Sequence, residues 1–317
     1  MKQAIPQISD QIYKTDTLNV LENTYSIVGP HWMNHQIEWM NGVYSAFKDH
    51  DKFLIIIYLT KKTLDFYSRN FTKLSYDQFY EKDTIEIEKF NIIEISTNLN
   101  IPKETTRRKT IELETSGIIK REKKKIIIDR SAFSFIKPIK SVIRMSRFLS
   151  LLSEMLVKEK ILETKLTSIE LEKTIKDNFS YVWKIYYELQ IPMLLKYSEV
   201  FGDLETFHIF GACVQNQHLN QSDMISEIER VKFLRSNLLD KNMQGLNAMS
   251  ISDITGIPRA TVVRKLKKLI KKNYLSINNK KHYMLTSRII KKVEPTQEII
   301  LNKLSDFSSQ VFNLTRL

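Results

Sequence analysis

Little in this sequence punctuates or cross-links a chain: one cysteine, Cys213, and only seven glycines and seven prolines among 317 residues. A lone cysteine excludes an intrachain disulfide and any zinc site built from several thiolates, and it fits a reducing compartment. The scarcity of glycine and proline disfavours a turn-rich β protein and favours helix. The longest aliphatic run, Leu54 to Leu59, is far too short to span a bilayer and is flanked by Lys52, Lys61 and Lys62. The N-terminal stretch has one early lysine and no apolar segment of the secretory kind, so a soluble, cytoplasmic protein is expected. Also missing are a glycine-rich phosphate loop, a nucleophile elbow and a metal-ligand series, so neither an enzyme nor a cofactor is expected. His31, His35 and Glu38 share one helix face without a partner cluster and read as surface or interface residues. Cys213, among Ile209, Phe210, Ala212 and Val214, reads as a small buried residue.

What the chain has is positive charge in two places. The net charge is +13. Twelve Lys and Arg and no acid lie between Ile254 and Val293, and ten basic against five acidic residues lie between Ile101 and Arg130. Subtracting these local charges of +12 and +5 leaves the rest of the chain at −4. Charge confined in this way points to a polyanion touched by two particular surfaces.

Apolar spacing predicts helices from His31 to about Phe47, from about Asp51 to Arg69 and from about Ser141 to Glu159. Thr167 and Glu170 form a capping box for a long helix that should stop before Pro192. Shorter helices follow from Met193 to Phe201 and from Asp203 to about His218, and a last one starts at Pro295. The Trp183, Tyr186 and Tyr187 group reads as core between domains. At this length two domains are the prior. The divisions are a lead-in over 1–30 and two helical units over 31–160 and 161–317.

The two units repeat each other. Shifting the sequence by 156 aligns Phe90–Ser131 with Leu246–Ser287 without a gap, and twelve of these 42 positions are identical. In the first copy they include Asn91, Ser96, Ile101, Pro102, Thr105, Arg108, Lys109 and Leu113. Upstream, a shift of 154 pairs Phe47 and Phe53 with Phe201 and Phe207. Within the aligned stretch, two helices join at Gly256 or Asn100, residues tolerant of a left-handed turn. A proline then opens the second helix, where its missing N–H costs no hydrogen bond. Each second helix, 103–116 or 259–272, is followed by a short hairpin with a basic tip.

This pattern, Ile-Ser, then Gly or Asn before Ile-Pro, then Thr, Arg and Leu ahead of a hydrophobic hairpin, resembles the winged helix-turn-helix of bacterial transcription regulators. The MarR-like and IclR-like groups are the nearest, and the resemblance covers about a quarter of the chain. It implies a mostly α fold with small β-wings, two winged helix-turn-helix repeats with flanking helices in a pseudo-two-fold arrangement. MarR-like regulators dimerise through such flanking helices, so the chain looks like a dimer fused into one polypeptide. The implied partner is double-stranded DNA, with the second helices in major grooves and the wings on phosphates or the minor groove. A nucleoid-associated location follows, and a homodimer through the flanking helices stays open.

The residues expected to touch DNA are Lys103, Thr105, Arg107 and Arg108 on the first helix and Lys123, Lys124 and Lys125 on its wing. In the second copy they are Arg259, Thr261, Arg264, Lys265 and Lys268, with Lys280 and Lys281 on the wing. The second copy is the stronger half, because the first carries acids and places Thr106 and Thr110 where the second has Val262 and Leu266. The expected function is a sequence-specific transcriptional regulator. A plasmid- or phage-type replication initiator and a winged-helix adaptor for protein contacts are the alternatives.

Overall fold

The computed structural model describes residues 11–87, 91–122, 125–132, 137–219, 227–237 and 245–316. It is mostly helical with two small antiparallel sheets. The first half runs α1 (Lys14–Asn23), α2 (Tyr25–Phe47), α3 (His50–Arg69), α4 (Tyr76–Tyr80), β1 (Thr84–Ile87), α5 (Ile92–Leu99), α6 (Lys103–Thr115), β2 (Ile119–Glu122), β3 (Lys125–Asp129) and α7 (Ile139–Lys158). The second runs α8 (Ser168–Asp177), α9 (Phe179–Phe201), α10 (Leu204–Leu219), α11 (Arg230–Lys232), α12 (Ala248–Thr255), α13 (Arg259–Lys271), β4 (Leu275–Ile277), β5 (Tyr283–Leu285) and α14 (Ser287–Leu314). The bounds of α8 and α9 are those of α1 and α2 advanced by 154 residues, and those of α12 and α13 are α5 and α6 advanced by 156.

Three helices pass through prolines that the sequence pattern placed at their ends. Helix α2 starts at Tyr25 rather than His31 and contains Pro30. Helix α14 starts at Ser287 and contains Pro295. Helix α9 contains Pro192, and the break expected there falls instead at Asn178, whose φ of −113° and ψ of 28° part α8 from α9. An internal proline costs a helix about 3 kcal/mol. Leu189, Ile191, Met193 and Leu194 are all buried around Pro192, so stopping there would expose a continuous apolar face. Burying one Leu or Ile side chain is worth roughly 1.5–3 kcal/mol, and several such residues outweigh the proline. The capping box at Thr167 and Glu170 is formed as expected. Helix α4 and strand β1, between α3 and the first helix pair, lie outside the helices that the apolar spacing predicts.

The two halves interlock. Helix α1 packs on α14 and α8 packs on α7; α3 packs on α9 and α10 packs on α2. This reciprocity buries α3, whose Leu54, Ile55, Ile56, Ile57 and Leu59 are all inaccessible. Tyr186, Phe179, Ile37, Met40, Phe307 and Phe312 fill the shared centre. The residue before α1 and the end of α14 meet as well, Ile12 N–H donating to Asn313 Oδ1 at 2.9 Å and Asn313 Nδ2 to Ile12 C=O at 3.0 Å. Cys213 is buried and its thiol is pushed up to about 12 by burial. No helix among the described residues is long and apolar enough to cross a membrane.

His35 is an interface residue, its Nε2 lying 2.9 Å from the Tyr186 hydroxyl. Burial, with Arg144 nearby, drives its pKa down to about 3, and burial likewise drives His50 down to about 4. Both therefore bind a proton more readily in the unfolded chain, where the ordinary value is 6.5. Their neutral-state stability is fully present above pH 6.5 and is lost as the pH falls towards the folded values. For His35 the loss between pH 6.5 and 5 amounts to about 2 kcal/mol. Thermal melts are expected to show Tm dropping from pH 7 to pH 5, with a smaller drop in His35→Gln; a flat Tm over that range would contradict this account.

Candidate nucleic-acid interface

Each of the pairs α5–α6 and α12–α13 is set by the same local devices. Asn91 caps α5 by accepting from Ile93 N–H, and Asn247 caps α12 by accepting from Met249 and Ser250 N–H. The turns between the helices use left-handed residues, Asn100 at φ 51° and Gly256 at φ 69°. Ser96 Oγ donates across the first turn to Ile101 C=O at 2.7 Å, and Ser252 Oγ donates to Ile257 C=O at 2.6 Å. Ile101 and Ile257 are buried beneath their turns. Several residues shared by the two copies thus build the turn and leave the outward surface to the others.

Left-handed residues also end the second helices, Gly117 at φ 75° and Asn273 at φ 55°. Each helix then leads into a hairpin. β2 pairs with β3, Ile119 opposite Ile128, and β4 pairs with β5, Leu275 opposite Leu285. In the first copy β1 joins β3 to make three strands, Ile85 opposite Ile128.

The inner face of α13 carries Val262, Lys265, Leu266 and Leu269, all buried. The inclusion of Lys265 corrects its assignment as a DNA contact. Its ammonium lies 2.7 Å from Asp203 Oδ1 and 3.2 Å from Glu205 Oε2, at the start of α10. Burial raises the Asp203 pKa, but the hydrogen bond from Lys265 and those from Thr206 outweigh it and hold the carboxyl below its usual range. In the first copy Lys109 makes the matching ion pair with Asp49, the N-cap of α3. Thr106 and Thr110 are buried on the inner face of α6, their hydroxyls donating to Ile101 and Thr106 carbonyls at 3.3 and 2.8 Å.

The outward face of α13 has Ala260, Arg264, Lys267 and Lys271 in line, each three or four residues from the next and all exposed. Lys267 and Lys271 were missed in the sequence. Their helical spacing from Arg264, three and seven residues on, is the signal that marks them. Arg259 and Lys268 are exposed beside this line, Thr261 is half-buried, and Lys280 and Lys281 are exposed on the hairpin turn. The closest acid to Arg264 is Glu205 at 3.9 Å.

The corresponding face of α6 is Glu104, Arg108, Ile111 and Thr115, and its charge is neutralised locally. Arg107 pairs with Glu104 at 3.0 Å, Arg108 approaches Glu112 at 3.9 Å, and Lys52 holds Glu112 at 2.9 Å. That hydrogen bond from Lys52 comes first among the causes that keep Glu112 ionised below the usual carboxylate range. Lys125 lies 3.4 Å from Glu86. Lys103 is exposed and Thr105 half-buried at the helix start. Lys123 and Lys124 lie outside the described residues. The sequence-based ranking of the copies therefore has a geometric counterpart: α13 presents a line of cations and α6 a mixed surface.

No family model, curated protein or solved structure matches this chain. The site is defined by its own geometry. Substituting the buried Lys265 by Met leaves Asp203 without its cation, and because Asp203 is partly exposed the expected loss is about 1–3 kcal/mol in urea unfolding. Lys268→Met, on the exposed side, is expected to change stability by less than about 0.5 kcal/mol. Equal effects would show that Lys265 is not anchored as described.

Proposed function

We propose that the chain is a sequence-specific, double-stranded DNA-binding transcriptional regulator in which two winged helix-turn-helix units, related by a pseudo-two-fold axis, form one polypeptide. The observation that carries this reading is the line Arg264, Lys267 and Lys271 on α13, next to Lys280 and Lys281 on the adjoining hairpin tip. An α-helix with an exposed cationic face fits the major groove, and a basic hairpin tip beside it fits backbone phosphates. The surrounding order, capped helix, left-handed turn, proline-started helix and antiparallel hairpin, supports the winged-helix reading. The matching offsets of 154 and 156 residues between helices support duplication.

In this reading the two helices α6 and α13 address half-sites about 10 bp apart. The half-sites differ, because Glu104 and Ile111 stand in α6 where Ala260 and Lys267 stand in α13. The second unit supplies most of the phosphate attraction and the first supplies less. Exposed Ile111 and the paired charges of α6 favour a secondary reading for the first unit alone, as a protein-contacting winged helix.

Selection of binding sites from random duplexes tests DNA recognition and yields the spacing together. A selected site should be bound with a log–log salt slope near −0.9 per phosphate neutralised. Arg264→Glu and Lys267→Glu are each expected to weaken binding in a gel-shift titration about tenfold more than Arg108→Glu, roughly 1.4 kcal/mol, because they interrupt a line of cations whereas Arg108 stands between Glu104 and Glu112 on the same helix. Equal or reversed losses would overturn the ranking of the two units, and a failed selection would overturn DNA recognition.

A further inference from the structure

The anchors of α6 and α13 meet. Lys109 pairs with Asp49, the residue that caps α3 by accepting from Asp51 and Lys52 N–H at 2.9 and 3.1 Å. Lys265 pairs with Asp203, which accepts from Thr206 N–H at 2.7 Å and Thr206 Oγ1 at 2.6 Å in the first turn of α10. The two aspartates are 154 residues apart and the two lysines 156, and the lysines are identical in the aligned copies.

Between these anchors sits a pair of buried histidines. His50 follows Asp49, and its Nε2 lies 3.2 Å from Nδ1 of His208 on α10. His208 Nε2 lies 2.8 Å from Asn41 Oδ1 on α2. Because that amide oxygen only accepts, Nε2 of His208 carries the proton, leaving Nδ1 free to accept from His50 Nε2–H. The Tyr44 ring packs over both imidazoles, with centroids 5.3 Å from His50 and 6.3 Å from His208. The bridge joins the start of α3 to α10, and the ion pairs Lys109–Asp49 and Lys265–Asp203 lie at the starts of these same two helices. Paired polar contacts of this kind resist displacement, since moving one member leaves its partner unpaired.

Resting on the DNA-binding reading above, we infer that the two ion pairs and the histidine bridge together are the positioning element that fixes the separation of α6 and α13, and hence the half-site spacing the chain accepts. Lys109, His50, His208 and Lys265 are positioning residues in this scheme; none of them touches DNA. The ion pairs set each helix against its own unit, and the histidine bridge sets one unit against the other.

The test uses the full chain and two independent readouts. The first is binding to a panel of duplexes in which the selected half-site separation is lengthened or shortened one base pair at a time. The unaltered protein should lose on the order of tenfold in affinity for each such change. His50→Leu and Lys265→Met should flatten that dependence to less than about threefold while keeping the salt slope. Lys265→Arg and His50→Gln, which keep a donor in place, should restore it. A preference as sharp in His50→Leu and Lys265→Met as in the unaltered chain overturns the inference, as does an unaltered chain indifferent to spacing. The second readout needs no DNA: in Lys265→Met, amide hydrogen exchange should quicken in α6 as well as in α13. Quickening confined to α13 overturns the coupling. If the unaltered chain binds no duplex at all, the regulator reading falls and the exchange measurement alone decides the coupling.

Discussion

The structure depends on reciprocal helix packing between the two halves of the chain. A helix such as α3, buried on successive positions from Leu54 to Ile57 and again at Leu59, is not covered by one flat contact, because its other buried faces would stay in water. It finds cover where α9 from the other half lies along it while β1, α2, α5 and α6 pack on its other sides. Helices α10 and α2 solve the same problem in return. The short, polar helix pairs that carry the cations have small cores of their own and are held in place by this shared centre.

That dependence explains why lysines lie on inner faces. Both α6 and α13 must present one side outward and still be fixed to the scaffold, and the scaffold offers the first turns of α3 and α10. Aspartates are favoured there because they accept the free N–H groups of a helix start. A buried ammonium from the neighbouring helix completes the arrangement, satisfying the carboxylate and aligning the helix at once. A lysine on such a helix can therefore be structural or outward-facing, and one residue of register separates the roles, as Lys265 beside Arg264 shows.

Much of the local architecture was legible in the sequence. The bounds of α6, α13 and both hairpins follow from proline, from left-handed residues and from apolar spacing, which act over a few neighbours. The capping box at Thr167 was readable for the same reason. Helix ends at Pro30, Pro192 and Pro295 were misplaced because their continuation is decided by distant packing, which a short window does not contain. The role of Lys265 was missed because its partner Asp203 lies far away in the chain and only folding brings them together. Lys267 and Lys271 were readable from helical spacing alone once the inner face had been fixed by Val262, Leu266 and Leu269.

The packing of α1 on α14, where Ile12 meets Asn313, has a consequence for behaviour at low concentration. Two separate subunits joined by such helices would part on dilution, and their assembly would follow the square of their concentration. Here the join is intramolecular, so its occupancy is independent of how many molecules share the same volume. Each half is always present to the other at the effective concentration set by the fold. Nor is there any pool of free halves with which to exchange, so the two surfaces can diverge in sequence without ever forming mismatched pairs.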